Sequence, residues 1–277
     1  MTFVELKGGL GNQLFQLAFA LWLRDEVGET TRLDTSWFQK EGRGGAPREL
    51  EVDLAGQGFK IVRSPVFLAL GSALGFRLHE RQSDEYWSIL DRKPRSPRFV
   101  DGYFQHWQLA EQVREPLWSL AREHLGEIVD LREVVMAHVR LGDYQSDPAA
   151  RSFHGVTDPC WSIAEAKRLA EEIGVSKVEI FTDSPRILRE LAGDALAGCD
   201  VDDGVGSWQT LSRMMSCSAF VLSNSTFSWW AATFARWAYG HPQPVICPYP
   251  WFSAQSCADS RLQTPGWIIK ERRLLRA

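Results

Sequence analysis

The chain is poor in the features that mark several protein classes. Its five cysteines, Cys160, Cys199, Cys217, Cys247 and Cys257, are odd in number, and none stands in C-x-x-C spacing. That argues against a disulfide framework or a cysteine zinc site and fits a reducing compartment, the cytoplasm. The six histidines (His79, His106, His124, His138, His154 and His241) form no H-x-x-x-H pair, so a histidine metal site lacks its usual spacing. A G-x-S-x-G elbow is missing, which weakens a serine-hydrolase reading. No apolar run approaches the roughly 20 residues that span a bilayer. Met1 leads directly into Thr2–Lys7, a strand-like run with charges inside it, so no N-terminal signal is expected. Positive charge is not in excess either. The 31 Lys and Arg face 35 Asp and Glu, a net charge of −4, which removes any global attraction to nucleic acid. An anionic ligand must then be held by a local cluster of donors.

What is present describes an ordinary globular protein. Of 277 residues, 44% are hydrophobic and 24% charged, which argues against disorder. That length fits two compact domains of roughly 130 residues each. We expect an N-terminal domain over 1–130, a C-terminal domain over 131–265, and a tail over 266–277. The basic run Lys270–Arg276 is compatible with a peripheral contact at the inner, anionic face of a membrane. A solvated helix end accounts for it more simply.

The elements alternate. A strand over Phe3–Lys7 runs into the Gly-rich turn Gly8–Asn12, then a helix over Gln13–Val27 with Leu14, Leu17, Ala18 and Leu21 on one face. A short strand ends at Arg32-Leu33-Asp34. A glycine-rich loop covers Gln39–Gly58, a strand Phe99–Tyr103, and a helix Leu109–Leu125. The C-terminal half repeats the alternation more regularly. Val134–Val139 is a strand, Arg140–Gln145 a loop, and Asp158-Pro159 caps a helix to Ile173. Val178–Thr182 is a strand and a short helix begins at Pro185. A helix over Trp208–Met215, a strand over Phe220–Ser223, a helix over Thr226–Tyr239 and a strand over Val245–Cys247 follow. Such alternation predicts an α/β protein of two Rossmann-like domains facing a cleft, the architecture called GT-B among glycosyltransferases.

Three segments fall at the carboxyl ends of predicted parallel strands, where open α/β sheets bind ligands. In His138–Tyr144, Arg140 can grip a diphosphate with its fork or can be a surface arginine at a strand end. Asp143 can orient Arg140 or take a proton from a hydroxyl. In Phe181–Pro185, Asp183 can accept the ring donors of guanine or cap the next helix. Ser223-Asn224-Ser225-Thr226 puts three hydroxyls and an amide at a strand-to-helix turn suited to phosphate. Trp229 and Trp230, just beyond, read as core. The Gly8–Gln13 turn allows close backbone approach but is no dinucleotide fingerprint, because Leu14 stands where a glycine is required. Asp200-Val201-Asp202 has the D-x-D form of metal-dependent glycosyltransferases, yet with Asp203 it reads as an acidic loop.

In order, Gly8–Gln16, Gly102-Tyr103-Phe104-Gln105, His138–Tyr144, Phe181-Thr182-Asp183, Met215-Ser216 and Ser223–Ala232 resemble the successive motifs of the α-1,2-fucosyltransferases, glycosyltransferase family 11. The resemblance runs from residue 5 to about residue 250. It implies a GT-B fold, GDP-β-L-fucose as donor, inversion at the transferred sugar, and a 2-hydroxyl of galactose as acceptor. It implies neither metal nor bound cofactor. By matching position, Arg140 would bind the β-phosphate, with His138 and Asp183 near the nucleotide. Asn224, Ser225 and Thr226 would help hold the diphosphate. Gly9, Gly11, Asn12 and Gln13 would face the cleft from the acceptor side. A general base, if used, would be Asp143 or Glu5. The family usually carries a second arginine where Leu141 stands and a second acid where Ser184 stands. The acceptor is expected to be a galactose-terminated oligosaccharide or lipid-linked glycan of O-antigen type. The alternatives are another GDP-fucose-dependent transferase (α-1,6 or protein O-linked) and a non-catalytic nucleotide-sugar or glycan-binding protein.

Overall fold

The structure is a computed structural model describing residues 1–39, 48–54, 56–63, 76–80, 85–91, 97–126, 132–202, 204–240, 242–253 and 259–275. The chain divides into two compact units, Met1–Ala121 and Arg122–Ala277. The division falls inside a helix, ahead of the boundary at 130 expected from sequence.

Unit 1 holds a five-stranded sheet. β1 (Thr2–Glu5) pairs in parallel with β2 (Thr31–Asp34) and β5 (Arg98–Asp101). Outside them lie β3 (Lys60–Val62) and β4 (Arg77–His79), giving the order β3-β2-β1-β5-β4. Helix α1 (Leu10–Asp25) begins earlier than the leucine spacing predicts, directly after the glycine turn. Gly8 has φ 79°, and a Cβ there would stand 2.9 Å from the Asn12 amide nitrogen. Its chain from Leu14 to Leu23 is buried on every side. A helix apolar all round belongs inside a protein, and each such side chain contributes about 1.5–3 kcal/mol on burial. The helix expected over Leu109–Leu125 is two: α2 (Trp107–Gln112) and α3 (Arg114–Leu125), broken where Val113 leaves helical geometry at φ −108°, ψ 24°.

Unit 2 holds six parallel strands: β6 (Arg132–Val139), β7 (Lys177–Thr182), β8 (Cys199–Asp202), β9 (Cys217–Val221), β10 (Val245–Tyr249) and β11 (Ile268–Glu271). Their order is β11-β10-β9-β6-β7-β8. The chain winds outward from β6 to β8, returns to the centre, and winds outward again from β9. This is the doubly wound Rossmann order, with its reversal between β6 and β9. The fold class is therefore α/β, with two Rossmann-like units.

Three local readings are corrected. The loop expected over Arg140–Gln145 contains α4 (Gly142–Ser146), followed by α5 (Pro148–His154), which Asp147 caps by accepting the Ala149 N–H. The acidic loop expected at Asp200–Asp202 is strand β8. Asp202 is buried, pairs with Arg213 and accepts the Gly204 N–H at 2.6 Å. The tail expected over 266–277 supplies β11, and two of its basic residues, Lys270 and Arg272, make internal pairs. Lys270 pairs with Glu165 at 2.6 Å. Arg272 is buried, donating to Thr157 Oγ1 at 3.0 Å and the His154 carbonyl at 2.5 Å. Among the described residues, no helix is long and apolar enough to cross a membrane.

Other expectations hold. Helix α6 (Pro159–Ile173) starts at Asp158, whose carboxylate accepts the Cys160 N–H. Helices α7 (Pro185–Ala192), α8 (Ser207–Met215) and α9 (Thr226–Tyr239) lie where predicted. Trp229 and Trp230 are fully buried.

Candidate functional site

The carboxyl edge of the second sheet gathers all three motif segments at the strand reversal. Val139 on β6 pairs with Thr182 on β7, and Ala137 with Val221 on β9, so the residues that follow leave the sheet side by side. Arg140 leaves β6 and meets Asp183 leaving β7, with Nη1 to Oδ2 at 2.8 Å. The other Asp183 oxygen accepts the backbone N–H groups of Leu141 at 3.0 Å and Gly142 at 3.3 Å. Asp183 therefore does not cap α7. The N-cap position is Ser184, which makes no side-chain cap bond. Asp183 is a brace that fixes both the turn after β6 and the guanidinium it carries. Sequence reasoning offered Asp143 for that orienting role. Asp143 lies in α4, and its side chain is outside the described residues.

Gly142 is required here by close approach, because a Cβ would collide with the Asp183 carboxylate. Gly142→Ala should push Asp183 off Arg140. We expect donor KM to rise and kcat to fall by about tenfold or more while the protein stays folded, read by steady-state kinetics beside circular dichroism.

Arg140 also lies over the Tyr144 ring, 5.7 Å from its centroid. Tyr144 stacks on His154 at 4.4 Å and donates to the Asn224 carbonyl at 3.2 Å. The Asn224 amide is turned inward. It donates to the His154 carbonyl at 3.0 Å and accepts from Thr157 at 3.5 Å, and the residue is 2% exposed. Its side chain holds the loop under Tyr144. Ser225 is the N-cap of α9 and accepts the Phe227 N–H, and Ser225 and Thr226 are half-buried at the helix start. Leu141 is fully buried in the core of unit 2, so this departure from the family pattern is a packing residue.

His138 is buried beneath this edge, its Nδ1 2.7 Å from Ser223 Oγ, which ties the ends of β6 and β9. Burial lowers its pKa to about 4, with Arg140 adding to the effect and Asp183 opposing it. An unfolded His138 takes up its proton near pH 6.5, which the folded ring refuses until about pH 4. Stability therefore falls as the pH drops through that window, by on the order of 3 kcal/mol in full. Denaturant melts of wild type and His138→Gln at pH 7 and pH 4.5 check this. The variant should lose less stability on acidification.

The first sheet has its own reversal, between β1 and β5, and its carboxyl edge carries two linked motifs. Gln16 on α1 accepts the Lys7 N–H at 2.8 Å and donates to the Gly102 carbonyl at 3.1 Å. Gln105 donates to Asn12 Oδ1 at 3.0 Å. The Gly-rich turn and the Gly102–Gln105 segment thus form one constellation. Gln13, expected to face a ligand, is fully buried. It donates to the carbonyls of Gly8 and Glu49 and accepts the Glu51 N–H at 2.8 Å. Gly11 is buried within α1, while Gly9 and Asn12 remain half-buried at the turn.

Glu5 ends β1 and is 5% exposed. Around it stand residues that sequence reasoning did not single out. Lys7 pairs with Asp101 and lies 3.6 Å from Glu5. One Arg77 nitrogen reaches Asp101 at 2.9 Å and Glu5 at 3.2 Å. His79 Nδ1 lies 2.9 Å from Asp101. Burial raises the Glu5 pKa, and the Asp101 charge adds to the rise while Lys7 and Arg77 oppose it. Burial also acts to raise Asp101, but its bonds to Lys7 and Arg77 outweigh that and hold it at about 2. The signal in sequence was weak, because Arg77, His79 and Asp101 come together only through the pairing of β4 with β5.

Among the described residues, no group of three or more His, Cys, Asp or Glu side chains is arranged to hold a metal ion.

Comparison with known proteins places this geometry in context. The model of Glycosyl transferase family 11 matches residues 80–269. The chain is similar to the O-antigen biosynthesis glycosyltransferase WbnK of Escherichia coli, at 24% identity over 95% of this chain and 98% of that protein. It is also similar to an alpha-1,2-colitosyltransferase of Escherichia coli, at 23% identity over 97% and 98%. Solved structures with some likeness include POFUT1 in complex with GDP-fucose (12% identity, 88% of this chain and 97% of that one, TM-score 0.43). Another is the fucosyltransferase NodZ from Bradyrhizobium (13%, 85% and 92%, TM-score 0.46).

Proposed function

Because this chain belongs to glycosyl transferase family 11, we propose that it is an inverting, metal-independent transferase. In this reading it moves L-fucose from GDP-β-L-fucose to the 2-hydroxyl of a terminal galactose. The observation that carries the reading is the Arg140–Asp183 pair beside the hydroxyl-bearing start of α9, at the strand reversal of the second sheet. As the bond to GDP lengthens, charge builds on the β-phosphate. The Arg140 fork and the first N–H groups of α9, with Ser225 and Thr226, supply fixed donors for it. In this reading those donors do the work that a divalent ion does in metal-dependent glycosyltransferases. For the attacking hydroxyl, the general base in this reading is Glu5, in unit 1, or Asp143, in unit 2. A carboxylate whose pKa is raised by burial is a better proton acceptor near neutral pH than an ordinary one.

A second donor is favoured by one comparison, since a relative of this chain is named an alpha-1,2-colitosyltransferase. Colitose is fucose without its 3-hydroxyl. A pocket that hydrogen-bonds that hydroxyl rejects the deoxy sugar strongly, whereas one that does not will use either.

Purified protein incubated with GDP-fucose or GDP-colitose and a set of galactose-terminated glycans, in chelator, tests both readings by product mass and linkage. An α-1,2-fucosyl product formed at an undiminished rate in chelator is expected. Exclusive use of GDP-colitose would replace the donor. Loss of activity in chelator would end the metal-independent reading. Binding without turnover would make the protein a nucleotide-sugar binder.

A further inference from the structure

Glu5 and Asp101 end neighbouring parallel strands at the reversal of the first sheet, yet their surroundings differ. Asp101 takes the cations. Lys7 sits against it, one Arg77 nitrogen bonds it at 2.9 Å, and His79 approaches at 2.9 Å. Glu5 is more buried and receives only longer contacts, 3.6 Å from Lys7 and 3.2 Å from Arg77. Tyr103, half-exposed after β5, lies 5.0 Å from the Lys7 ammonium and helps keep it on the Asp101 side. On β2, Asp34 stands opposite Glu5 in register and accepts the Ser36 N–H. Among the described residues these are the charged and titratable groups facing Glu5 from its own strand and from β2, β4 and β5.

We propose that Asp101 is a positioning residue for Glu5: it holds Lys7 and the shorter of the two Arg77 contacts, so that the ion pairs Glu5 makes with these cations stay the longer ones, and its own negative charge stands beside Glu5. Two carboxylates at one edge then divide the work. Asp101 stays ionised as the anchor of the cations, and Glu5 is left to exchange a proton. Pairs of acids whose surroundings separate them in this way mark an acid–base centre. The use of Glu5 in transfer rests on the reading given above; the control of its protonation by Asp101 does not.

The test separates the two. Full-length protein labelled with [5-13C]glutamate is titrated by carbon NMR, with Glu5→Gln identifying the Glu5 resonance. In Asp101→Asn, Lys7 and Arg77 are released onto Glu5, and its midpoint should move to lower pH than in wild type. In Lys7→Met, an opposing cation is lost, and the midpoint should move to higher pH. Opposite displacements support the proposal, and a merely structural role would not give them. An unmoved or raised midpoint in Asp101→Asn overturns it. If that variant does not fold, Asp101→Ser is titrated in its place, a lowered midpoint in support and an unmoved or raised one against. Turnover is then read separately in Glu5→Gln. Near-normal kcat there removes Glu5 from the transfer reaction while leaving the titration result intact. Where Glu5 does act, the acidic limb of kcat/KM should follow the NMR midpoints.

Discussion

Arg140→Lys is expected to lower kcat by about 10²–10³-fold, about 3–4 kcal/mol of transition-state stabilisation, with a smaller change in donor KM. Lysine keeps the charge and can still pair with Asp183, so ground-state attraction for a diphosphate survives. It loses the planar fork. In the structure Asp183 grips Arg140 from one side and fixes the backbone of residues 141 and 142 from the other, so the guanidinium plane is set before any ligand arrives. A flexible ammonium cannot be set in that way, and a preorganised donor is worth most where charge develops. Steady-state kinetics with saturating GDP-fucose check this. Turnover near that of wild type would take Arg140 out of the mechanism.

Trp229→Ala should destabilise the protein by about 3–5 kcal/mol, the usual cost of emptying a large aromatic site in a core. Trp229 is fully buried and packs edge-on to Trp230, with ring centroids 4.9 Å apart, and near Trp267 at 5.8 Å. Its indole N–H donates to the Leu262 carbonyl at 2.9 Å. Trp229→Phe keeps much of the packing and removes the donor, so it should cost about 1–3 kcal/mol for the unpaired carbonyl, apart from any loss of volume. Equilibrium urea unfolding followed by circular dichroism separates the two. Equal and small losses in both variants would show that the indole does not hold α9 to the segment around Leu262.

Particular residues show where sequence reasoning succeeded. Asp158-Pro159 announced α6 because capping chemistry is local: a carboxylate accepts an N–H two residues on, and proline suits the first turn. Trp229 and Trp230 were legible as core from their place in an apolar helix. Reasoning failed where a side chain's partner lay far along the chain. Asp183 could be read as a helix cap or a nucleotide contact, and it braces a turn 41 and 42 residues away. Asn224 and Gln13 carry polar groups that suit a ligand, but folding spends those groups on carbonyls and N–H groups at distant positions. In the basic C-terminal run, the burial of Arg272 was not readable from sequence, because its partners, Thr157 and the His154 carbonyl, are more than a hundred residues earlier.

By itself the sequence determined the alternation of strands and helices, the parallel character of the sheets and the edge at which the motif residues emerge. Those properties follow from periodicity, capping and turn chemistry, which act over a few residues. Only the tertiary structure decided which acid holds Arg140, which polar side chains are consumed internally, and that Glu5 shares its edge with Asp101, Lys7 and Arg77. Such pairings depend on strand order, and strand order is set by packing between segments that no local pattern connects.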